Sequence, residues 1–104
     1  MKDAFIVCCT CANAVEARRI ATTLVEERLA ACINILPSIC SIYRWKGKVE
    51  SVEEWLLLIK SAEPHFSKLR DRIAELHSYD TPEIIMLPIV AGSEKYLSWL
   101  KEQL

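Results

Sequence analysis

Glycine and proline are scarce in this chain: two of its 104 residues are glycine and four are proline. Disordered and low-complexity chains are rich in these residues and poor in apolar ones, whereas 52% of the residues here are hydrophobic. The composition therefore excludes a disordered or repetitive chain. It predicts one folded domain over residues 1–104, with a core of normal size.

Neither sign of charge prevails. Thirteen basic and fourteen acidic side chains leave a formal net charge of -1, without a block of like charge. Because nucleic acids and anionic membranes attract basic surfaces, we expect neither as a partner. No apolar run approaches the roughly 20 residues of a membrane span. The apolar start, Phe5–Cys9, is too short for the core of an export signal.

The cysteines are odd in number: five residues, at positions 8, 9, 11, 32 and 40. In a chain that can build its own core and shows no export signal, an odd number predicts free thiols rather than a disulfide framework. Free thiols persist in reducing compartments. We therefore expect a cytoplasmic protein.

The motifs of common catalytic sites are also missing. The sequence has no glycine-rich phosphate loop and no Gly-x-Ser-x-Gly elbow. Cys9 and His77 are conceivable as a nucleophile and its base, but no third group that would orient them is evident. The sequence therefore predicts a binding protein rather than an enzyme.

The chain does contain a regular succession of patterned segments. Ala4–Thr10 is an unbroken apolar run of strand length. Asn13 and Glu16 are spaced as a helix-capping pair, and apolar residues recur after them at helical intervals. A strand is therefore followed by an amphipathic helix. Two extended arms come next, Ala31–Trp45 and Lys48–Lys60.

Prolines mark the interruptions in the remaining pattern. Pro37 predicts a bulge or bend in the first arm, and Pro64 predicts the first turn of a second helix that ends near His77. The run Glu83–Val90 predicts a further strand, and Gly92 opens a short terminal helix. This order predicts an α+β, ferredoxin-like βαββαβ sandwich with a long central hairpin and an extra C-terminal helix.

The two hairpin arms are long for a chain of this size. About fifteen extended residues span roughly 50 Å, whereas a compact domain of this length is roughly 33 Å across. Either the arms bend sharply or the hairpin tip leaves the globule. A lone two-stranded ribbon is marginal in water, so Tyr43 and Trp45 near the tip need another surface. A second copy of the chain is the simplest one.

The sheet gives a second reason to expect self-association. The two main helices of such a sandwich cover one face of the sheet, so the strands of a monomer should alternate apolar and polar residues. The segments Phe5–Cys9, Leu56–Ile59 and Ile84–Leu87 are instead apolar on both faces. Large apolar patches are typical of protein interfaces, so we expect the uncovered face to contact other copies.

Four segments carry distinctive motifs. They are Leu29-Ala30-Ala31-Cys32-Ile33-Asn34-Ile35-Leu36-Pro37, Ser41-Ile42-Tyr43-Arg44-Trp45-Lys46-Gly47-Lys48-Val49-Glu50, His77-Ser78-Tyr79-Asp80-Thr81-Pro82-Glu83-Ile84 and Tyr96-Leu97-Ser98-Trp99. In this order and spacing the chain resembles the CutA divalent-cation tolerance family from Ile6 to Trp99. The resemblance implies a tight homotrimer whose hairpins pack across neighbouring subunits, and a role in tolerance to copper and other divalent metal ions.

The resemblance also implies metal ligands, which this chain has only in part. Metal-binding members use a cysteine that precedes threonine on the first strand and a tandem pair of histidines. Cys9 matches the cysteine and His77 the second histidine, while Leu76 occupies the other histidine position. We therefore expect copper or another divalent metal ion as the cofactor, although two ligands are fewer than a tight site normally has.

Two further cysteines are weaker candidates for the metal. Cys11 points to the same side of a strand as Cys9, and thiolates suit Cu(I). Cys32 lies in one of the matched segments. The alternative is that these cysteines pack as small apolar residues, as free cysteine often does in a buried strand.

Polar residues on the hairpin indicate a second candidate site. Glu54 and Lys60 share one face of the second arm, and Glu83 begins the last strand. Charges at an interface must be paired, so these residues form either an intersubunit salt-bridge network or a pocket between subunits. In the pocket, Lys60 and Glu83 would bind a small polar ligand beside aromatic residues, which are Tyr43, Trp45 and Tyr79. The alternative function is then a PII-like trimeric sensor or scaffold that binds a small anion or a partner protein.

Overall fold

Four strands and three helices follow one another in the computed structural model, which describes residues 3–104. They are β1 (Ala4–Cys11), α1 (Ala14–Glu26), β2 (Cys32–Trp45), β3 (Lys48–Ala62), α2 (Phe66–Leu76), β4 (Ile85–Pro88) and α3 (Glu94–Glu102). The strands form one antiparallel sheet in the order β2-β3-β1-β4. Strand order and connections are those of the predicted ferredoxin-like sandwich.

The first helix begins where the capping pair predicts. The side-chain oxygen of Asn13 accepts a hydrogen bond from the Glu16 N–H at 2.9 Å, and Oε1 of Glu16 accepts one from the Ala12 N–H at 3.2 Å. These bonds satisfy backbone donors that an isolated helix start leaves free. The helix ends at Glu26, and the turn after it holds Arg28 at a φ of 59°.

The second helix starts later than the sequence predicts. Pro64 is not in the first turn of α2, which begins at Phe66 after His65 as its N-cap. The His65 N–H donates to the Ala62 carbonyl at 3.0 Å, so the chain turns across Pro64 before the helix begins. The prediction for Pro64 is therefore wrong, while the predicted end of the helix at His77 is confirmed.

The core lies between one face of the sheet and the helices α1 and α2. Its fully buried side chains come from β1, β3 and both helices: Phe5, Val7, Cys9, Cys11, Ile20, Leu24, Leu57, Ile59, Leu69 and Ile73. Burial of each large apolar side chain stabilises the fold by about 1.5–3 kcal/mol. Two of the five cysteines thus belong to the core.

The opposite face of the sheet carries neither α1 nor α2, and we call it the open face. Strand pairing places Cys8 between Leu58 and Ile85, and Ile6 beside Leu87. Ile85 is 52% exposed and Leu87 nearly as much. The expectation that these strands are apolar on both faces is confirmed, and it leaves an apolar surface without cover among residues 3–104.

The third helix packs at one end of the open face. Leu97 and Leu100 of α3 are buried, and burial, followed by the neighbouring Cys32 of β2, raises the pKa of Tyr96. Lys101 forms an ion pair with Asp3 at 3.3 Å. The terminal helix therefore covers only the end of the sheet where β1 begins.

The hairpin of β2 and β3 extends beyond the rest of the molecule. The principal dimensions are 44 × 25 × 23 Å, against roughly 33 Å for a compact domain of this length. Ile42, Trp45 and Val49 near its tip are more than half exposed. Of the two alternatives that the arm length allows, the structure shows the protruding tip.

The first arm of the hairpin contains a bulge at the predicted proline. Leu36 pairs with Leu56, but Ile39 pairs with Glu54, so β2 has one more residue than β3 across this interval. Ser38, which follows the proline, has a φ of 57°. One-residue insertions of this kind bend and twist the strand that carries them.

The last strand is shorter than predicted. It runs from Ile85 to Pro88 rather than over Glu83–Val90, although the Ile89 N–H still donates to the Ala4 carbonyl at 3.0 Å. As an edge strand, β4 tolerates the proline that a central strand would not. Within residues 3–104, no helix has both the length and the apolar character needed to cross a bilayer.

Candidate functional site

Two thiols and an imidazole come together beside the end of β1. The sulfur atoms of Cys9 and Cys11 and a ring nitrogen of His77 lie within 4.8 Å of one another, and all three residues are buried. Alternation along β1 turns both cysteines toward the core, and His77 directly follows α2. The structure thus groups the predicted pair with Cys11. It does not add Cys32, which pairs with Lys60 on the open face.

Both ring nitrogens of His77 already have backbone partners. Nδ1 accepts a hydrogen bond from the Tyr79 N–H at 3.0 Å, so Nε2 carries the proton of the neutral ring and donates it to the Thr10 carbonyl at 2.8 Å. A metal ion at either nitrogen must displace one of these bonds. His77 therefore links β1 to the loop after α2 as well as being a candidate ligand.

The thiol of Cys9 is held in its protonated form. A hydrogen bond with Cys11 is the largest cause, and burial and the carboxylates of Glu83 and Glu16 act in the same direction, so the pKa of Cys9 lies well above its usual value. Metals bind the thiolate. Binding here must therefore release a proton from Cys9.

Glu16 anchors the loop that carries His77. Its Oε2 accepts a hydrogen bond from the Ser78 N–H at 2.9 Å, and its Oε1 lies 3.9 Å from Nδ1 of His77. Burial raises the pKa of Glu16, but hydrogen bonds from Ser78 and Ala12 outweigh it, so the pKa lies below its usual value. The sequence assigns Glu16 only to the helix cap, because Ser78 is 62 residues away.

On the other side of β1, a cavity of about 630 Å³ opens beside the hairpin, and we call it the hairpin cavity. It includes five of the six predicted pocket residues, Tyr43, Trp45, Glu54, Tyr79 and Glu83, and its other lining residues are Thr10, Ser41, Ile42, Asp80 and Thr81. Its volume lies within the range of about 300–1,000 Å³ typical of small-molecule sites.

The sixth predicted residue, Lys60, lies elsewhere. Its ammonium group donates a hydrogen bond to the side-chain oxygen of Asn34 on the open face. Lys60 and Glu54 do share a face of β3, but six residues of extended chain separate them by about 20 Å. Within one chain the structure therefore does not bring Lys60 together with the other five residues, and their grouping between subunits stays a prediction.

Among residues 3–104, the side chains that line the hairpin cavity include three carboxylates and no basic group. Glu54 is only 6% exposed and accepts a hydrogen bond from the Tyr79 hydroxyl at 2.8 Å. Burial and then this bond raise the pKa of Tyr79. Burial and the charge of Glu54 raise the pKa of Glu83. This lining disfavours the small anion that the sequence leads us to expect.

The fold and its two sites define a class, a small ferredoxin-like α+β protein with a buried thiol–imidazole cluster and an acidic cavity beside a long hairpin. The family model of the CutA1 divalent ion tolerance protein matches residues 5–103. The chain belongs to this family.

Individual relatives agree with the family assignment. The divalent-cation tolerance protein CutA of Thermus thermophilus is 55% identical over 86 residues, which cover 83% of this chain and 84% of that protein. The chloroplastic CutA protein of Arabidopsis thaliana is 46% identical over 96 residues, covering 92% of this chain. The chain spans only 53% of the length of that plant relative.

Solved structures agree in fold. The Thermus thermophilus protein superposes with a TM-score of 0.94 at 49% sequence identity, covering 96% of this chain and 97% of that one. The CutA protein of Archaeoglobus fulgidus, described as a periplasmic divalent cation tolerance protein, superposes with a TM-score of 0.93 at 38% identity and the same coverage. The hairpin and the sheet are therefore shared features of these proteins.

Proposed function

We propose that this chain acts in divalent-cation tolerance as a homotrimer that binds copper, or another divalent metal ion, at Cys9, Cys11 and His77. The observation that carries the proposal is the convergence of two sulfur atoms and one imidazole within 4.8 Å, in a member of a divalent ion tolerance family. Thiolate and imidazole donors together suit copper. Cys11 supplies the third donor that Leu76 cannot.

Metal binding at this cluster requires the loss of a thiol proton and of one hydrogen bond. The Cys9 thiol has to lose its proton, and the ring of His77 has to release either the Thr10 carbonyl or the Tyr79 N–H. Each requirement opposes binding at neutral pH. We therefore expect moderate affinity that increases with pH, because a higher pH favours the thiolate.

Competition titration with Cu(I) and with Cu(II) tests the cluster. We expect Cys9→Ser and Cys11→Ser each to weaken copper binding at least about tenfold, which corresponds to one lost donor of about 1.4 kcal/mol or more. The matched control is Cys40→Ser, which removes an exposed thiol outside the cluster. Wild-type affinity in both core variants would mean that these cysteines only pack in the strand, and the metal proposal would be abandoned.

The trimer rests on the open face and the hairpin tip. Both present apolar side chains to solvent in the single chain, and surfaces of this kind are typical of interfaces. On assembly the hydrogen-bonded pair of Lys60 and Asn34 would be enclosed, where its polar groups need the partners they already have. The open face is therefore suited to burial against other copies.

Light scattering after size exclusion tests the assembly. The wild type should have a mass near three times 11.9 kDa, and Ile85→Asp on the open face should dissociate it. Val15→Asp is the control, because Val15 is 78% exposed on α1, away from the open face. A wild-type monomer at micromolar concentration would contradict the proposal.

We also propose that the protein is non-enzymatic. An activated cysteine has a lowered pKa and a base with a free nitrogen. Here the pKa of Cys9 is raised and both nitrogens of His77 are occupied. Alkylation at pH 7 should therefore modify Cys40 well before Cys9, and faster reaction of Cys9 would reopen the question of catalysis.

A cytoplasmic location remains our proposal for this chain. Its support is the five free cysteines, which suit a reducing compartment. Relatives named as chloroplastic and periplasmic indicate that location varies within the family. Fractionation of the host cells, with the protein detected in the soluble or the envelope fraction, tests the proposal directly.

A second candidate function is that of a PII-like sensor or scaffold whose ligand occupies the hairpin cavity at a subunit boundary. The observation that favours it is the convergence of Tyr43, Trp45, Glu54, Tyr79 and Glu83 around one cavity of ligand size. A crystal structure of the assembled protein tests it. A boundary that fills the cavity with protein side chains would remove this function.

A further inference from the structure

We propose that the hairpin cavity binds an organic ammonium ion, in the form of a protonated primary amine or diamine. The proposal rests on the second candidate function, in which this cavity is a ligand site. Its ligand-binding side chains are distinct from Cys9, Cys11 and His77, which lie on the other side of β1.

The first observation is the negative charge of the side chains that line the hairpin cavity. Glu54, Asp80 and Glu83 line the cavity, and no basic side chain among residues 3–104 joins them there. Glu54 is almost completely buried, so its charge is weakly screened by solvent. Repulsion between Glu54 and Glu83 has no compensating cation in the cavity lining among residues 3–104, and a bound cation would supply one.

The second observation is a pair of polar atoms at the cavity that have no hydrogen bond to residues 3–104. Thr10 is only 9% exposed and lines the cavity. Its carbonyl is bonded to His77, but its hydroxyl has no hydrogen bond to residues 3–104. Likewise, Oε2 of Glu54 accepts from Tyr79 while Oε1 has no donor within the same residues. Every fully buried side-chain nitrogen and oxygen among residues 3–104 has a partner. These two atoms are therefore open to the cavity, where a ligand with several N–H donors would bond to them.

The third observation is the aromatic wall. Tyr43, Trp45 and Tyr79 line the same cavity as the carboxylates. Aromatic faces attract ammonium groups, most strongly when water is excluded, and they also contact the carbon chain of an alkylamine. Carboxylates and aromatic rings in one cavity therefore match a cation that has both N–H groups and apolar carbon atoms.

A bare metal ion fits the cavity less well. Magnesium and calcium need about six oxygen ligands at 2.0–2.6 Å, so their carboxylates must converge. Among residues 3–104, the group of three or more metal-ligating side chains that does converge is Cys9, Cys11 and His77. The carboxylates of the hairpin cavity are spread around about 630 Å³, which suits a larger cation.

Calorimetric titration of the full-length assembled protein tests the ligand class with four probes of similar size. They are 1,4-diaminobutane, tetramethylammonium, neutral 1,4-butanediol and the dianion succinate. We expect the diamine to bind most tightly, tetramethylammonium more weakly because it has no N–H group, and the diol and succinate not at all. Binding of the diol as tight as that of the diamine would overturn the proposal.

Substitutions locate the site. Glu83→Gln should weaken diamine binding at least about tenfold, since a charge-assisted hydrogen bond is lost, and Glu54→Gln should do the same. Glu75→Gln on the surface of α2 is the matched control and should leave binding unchanged. Unchanged binding in both cavity variants would overturn the proposal. Loss of diamine binding in Glu75→Gln would also count against it.

The outcomes separate this inference from the functions it accompanies. Binding of succinate without the diamine would reject the ammonium ligand and leave the cavity as a ligand site. Failure of all four probes would reject both. Cys9→Ser should bind the diamine as the wild type does, and Glu54→Gln should keep wild-type copper affinity, so the two proposals are tested separately.

Discussion

Near the end of β1, the polar groups on the core side have hydrogen-bond partners within the protein, whereas two polar groups on the cavity side have none among residues 3–104. On the core side, both ring nitrogens of His77 and both carboxylate oxygens of Glu16 have protein partners. On the side of the hairpin cavity, the hydroxyl of Thr10 and one oxygen of Glu54 have none among residues 3–104. The chain completes the first site by itself, whereas the second requires a ligand, water or another chain.

The largest expected effect is that of removing the ring of His77. His77→Ala leaves the Thr10 carbonyl and the Tyr79 N–H without their partner in a buried place, at a cost of about 1–3 kcal/mol each. We expect a loss of about 2–4 kcal/mol in urea unfolding, measured at one protein concentration because assembly contributes. His65→Ala, which removes a side chain without a capping bond, should change stability by less than about 0.5 kcal/mol. A loss below about 1 kcal/mol for His77→Ala would mean that the two hydrogen bonds of the ring contribute little to the free energy of unfolding.

The next effect is that of the Glu16 charge. Glu16→Gln weakens the bonds to Ala12 and Ser78 and should cost about 1–2 kcal/mol at pH 7. Because the pKa of Glu16 is lower in the folded chain, its contribution is present above the unfolded pKa and is lost as the pH falls through the folded pKa. Urea unfolding from pH 7 to pH 3 should therefore show a smaller acid loss for the variant.

Glu26→Gln, an exposed position on the same helix, is the control for that series. It should follow the wild-type pH dependence, because its side chain does not join α1 to the loop after α2. A Glu16→Gln profile that is parallel to the wild type would show that the carboxylate contributes no charge-dependent stability.

On the cavity side the expected effect has the opposite sign. The pKa of Glu83 is raised by burial and by Glu54, so its ionised form disfavours folding above the folded pKa. Glu83→Gln should therefore raise stability by about 0.5 kcal/mol at pH 7, a small value because the group is partly solvated. The gain should vanish once the pH falls below the unfolded pKa. Destabilisation at pH 7 would indicate a partner for Glu83 in the assembled protein.

The smallest effect is expected at Thr10 itself. Its hydroxyl has no hydrogen bond to the described residues 3–104, so Thr10→Val should change stability by no more than about 0.5 kcal/mol. The matched control is Ser61→Ala, because the buried Ser61 hydroxyl donates to the Leu29 carbonyl at 2.7 Å and its loss should cost about 1 kcal/mol. A larger loss for Thr10→Val would show that water or another chain already completes the cavity.

Local patterns were sufficient for most of the fold. The pair Asn13 and Glu16 predicts the start of α1, and Pro37 predicts the bulge, because capping and bulges depend on neighbours in sequence. Pro64 is misplaced because proline is equally suited to a turn before a helix and to its first residue. Nothing local distinguishes the two.

The residues of the two sites were predictable only where the alternation of side chains along a strand or the resemblance to the family placed them. Alternation on β1 places Cys9 and Cys11 together, and the resemblance adds His77. The partners of the His77 ring were not predictable, since they are backbone groups from segments far apart in sequence. The place of Lys60 was not predictable either, because Asn34, which it contacts, becomes its neighbour only through strand pairing.

The bulge in the first arm has a consequence for which side chains reach the hairpin cavity. Side chains alternate along a strand, so one inserted residue reverses the parity of every position beyond it. Before the bulge, even-numbered residues of β2 such as Leu36 share a face with Leu56, whereas beyond it Ile39, and hence Tyr43, share a face with Glu54. A one-residue deletion at Ser38 would remove the bulge and restore regular pairing, with Tyr43 still opposite Glu50 and on the same side. Loss of a second residue from this arm would turn Tyr43 to the opposite side, because the strand then holds no extra residue to give up.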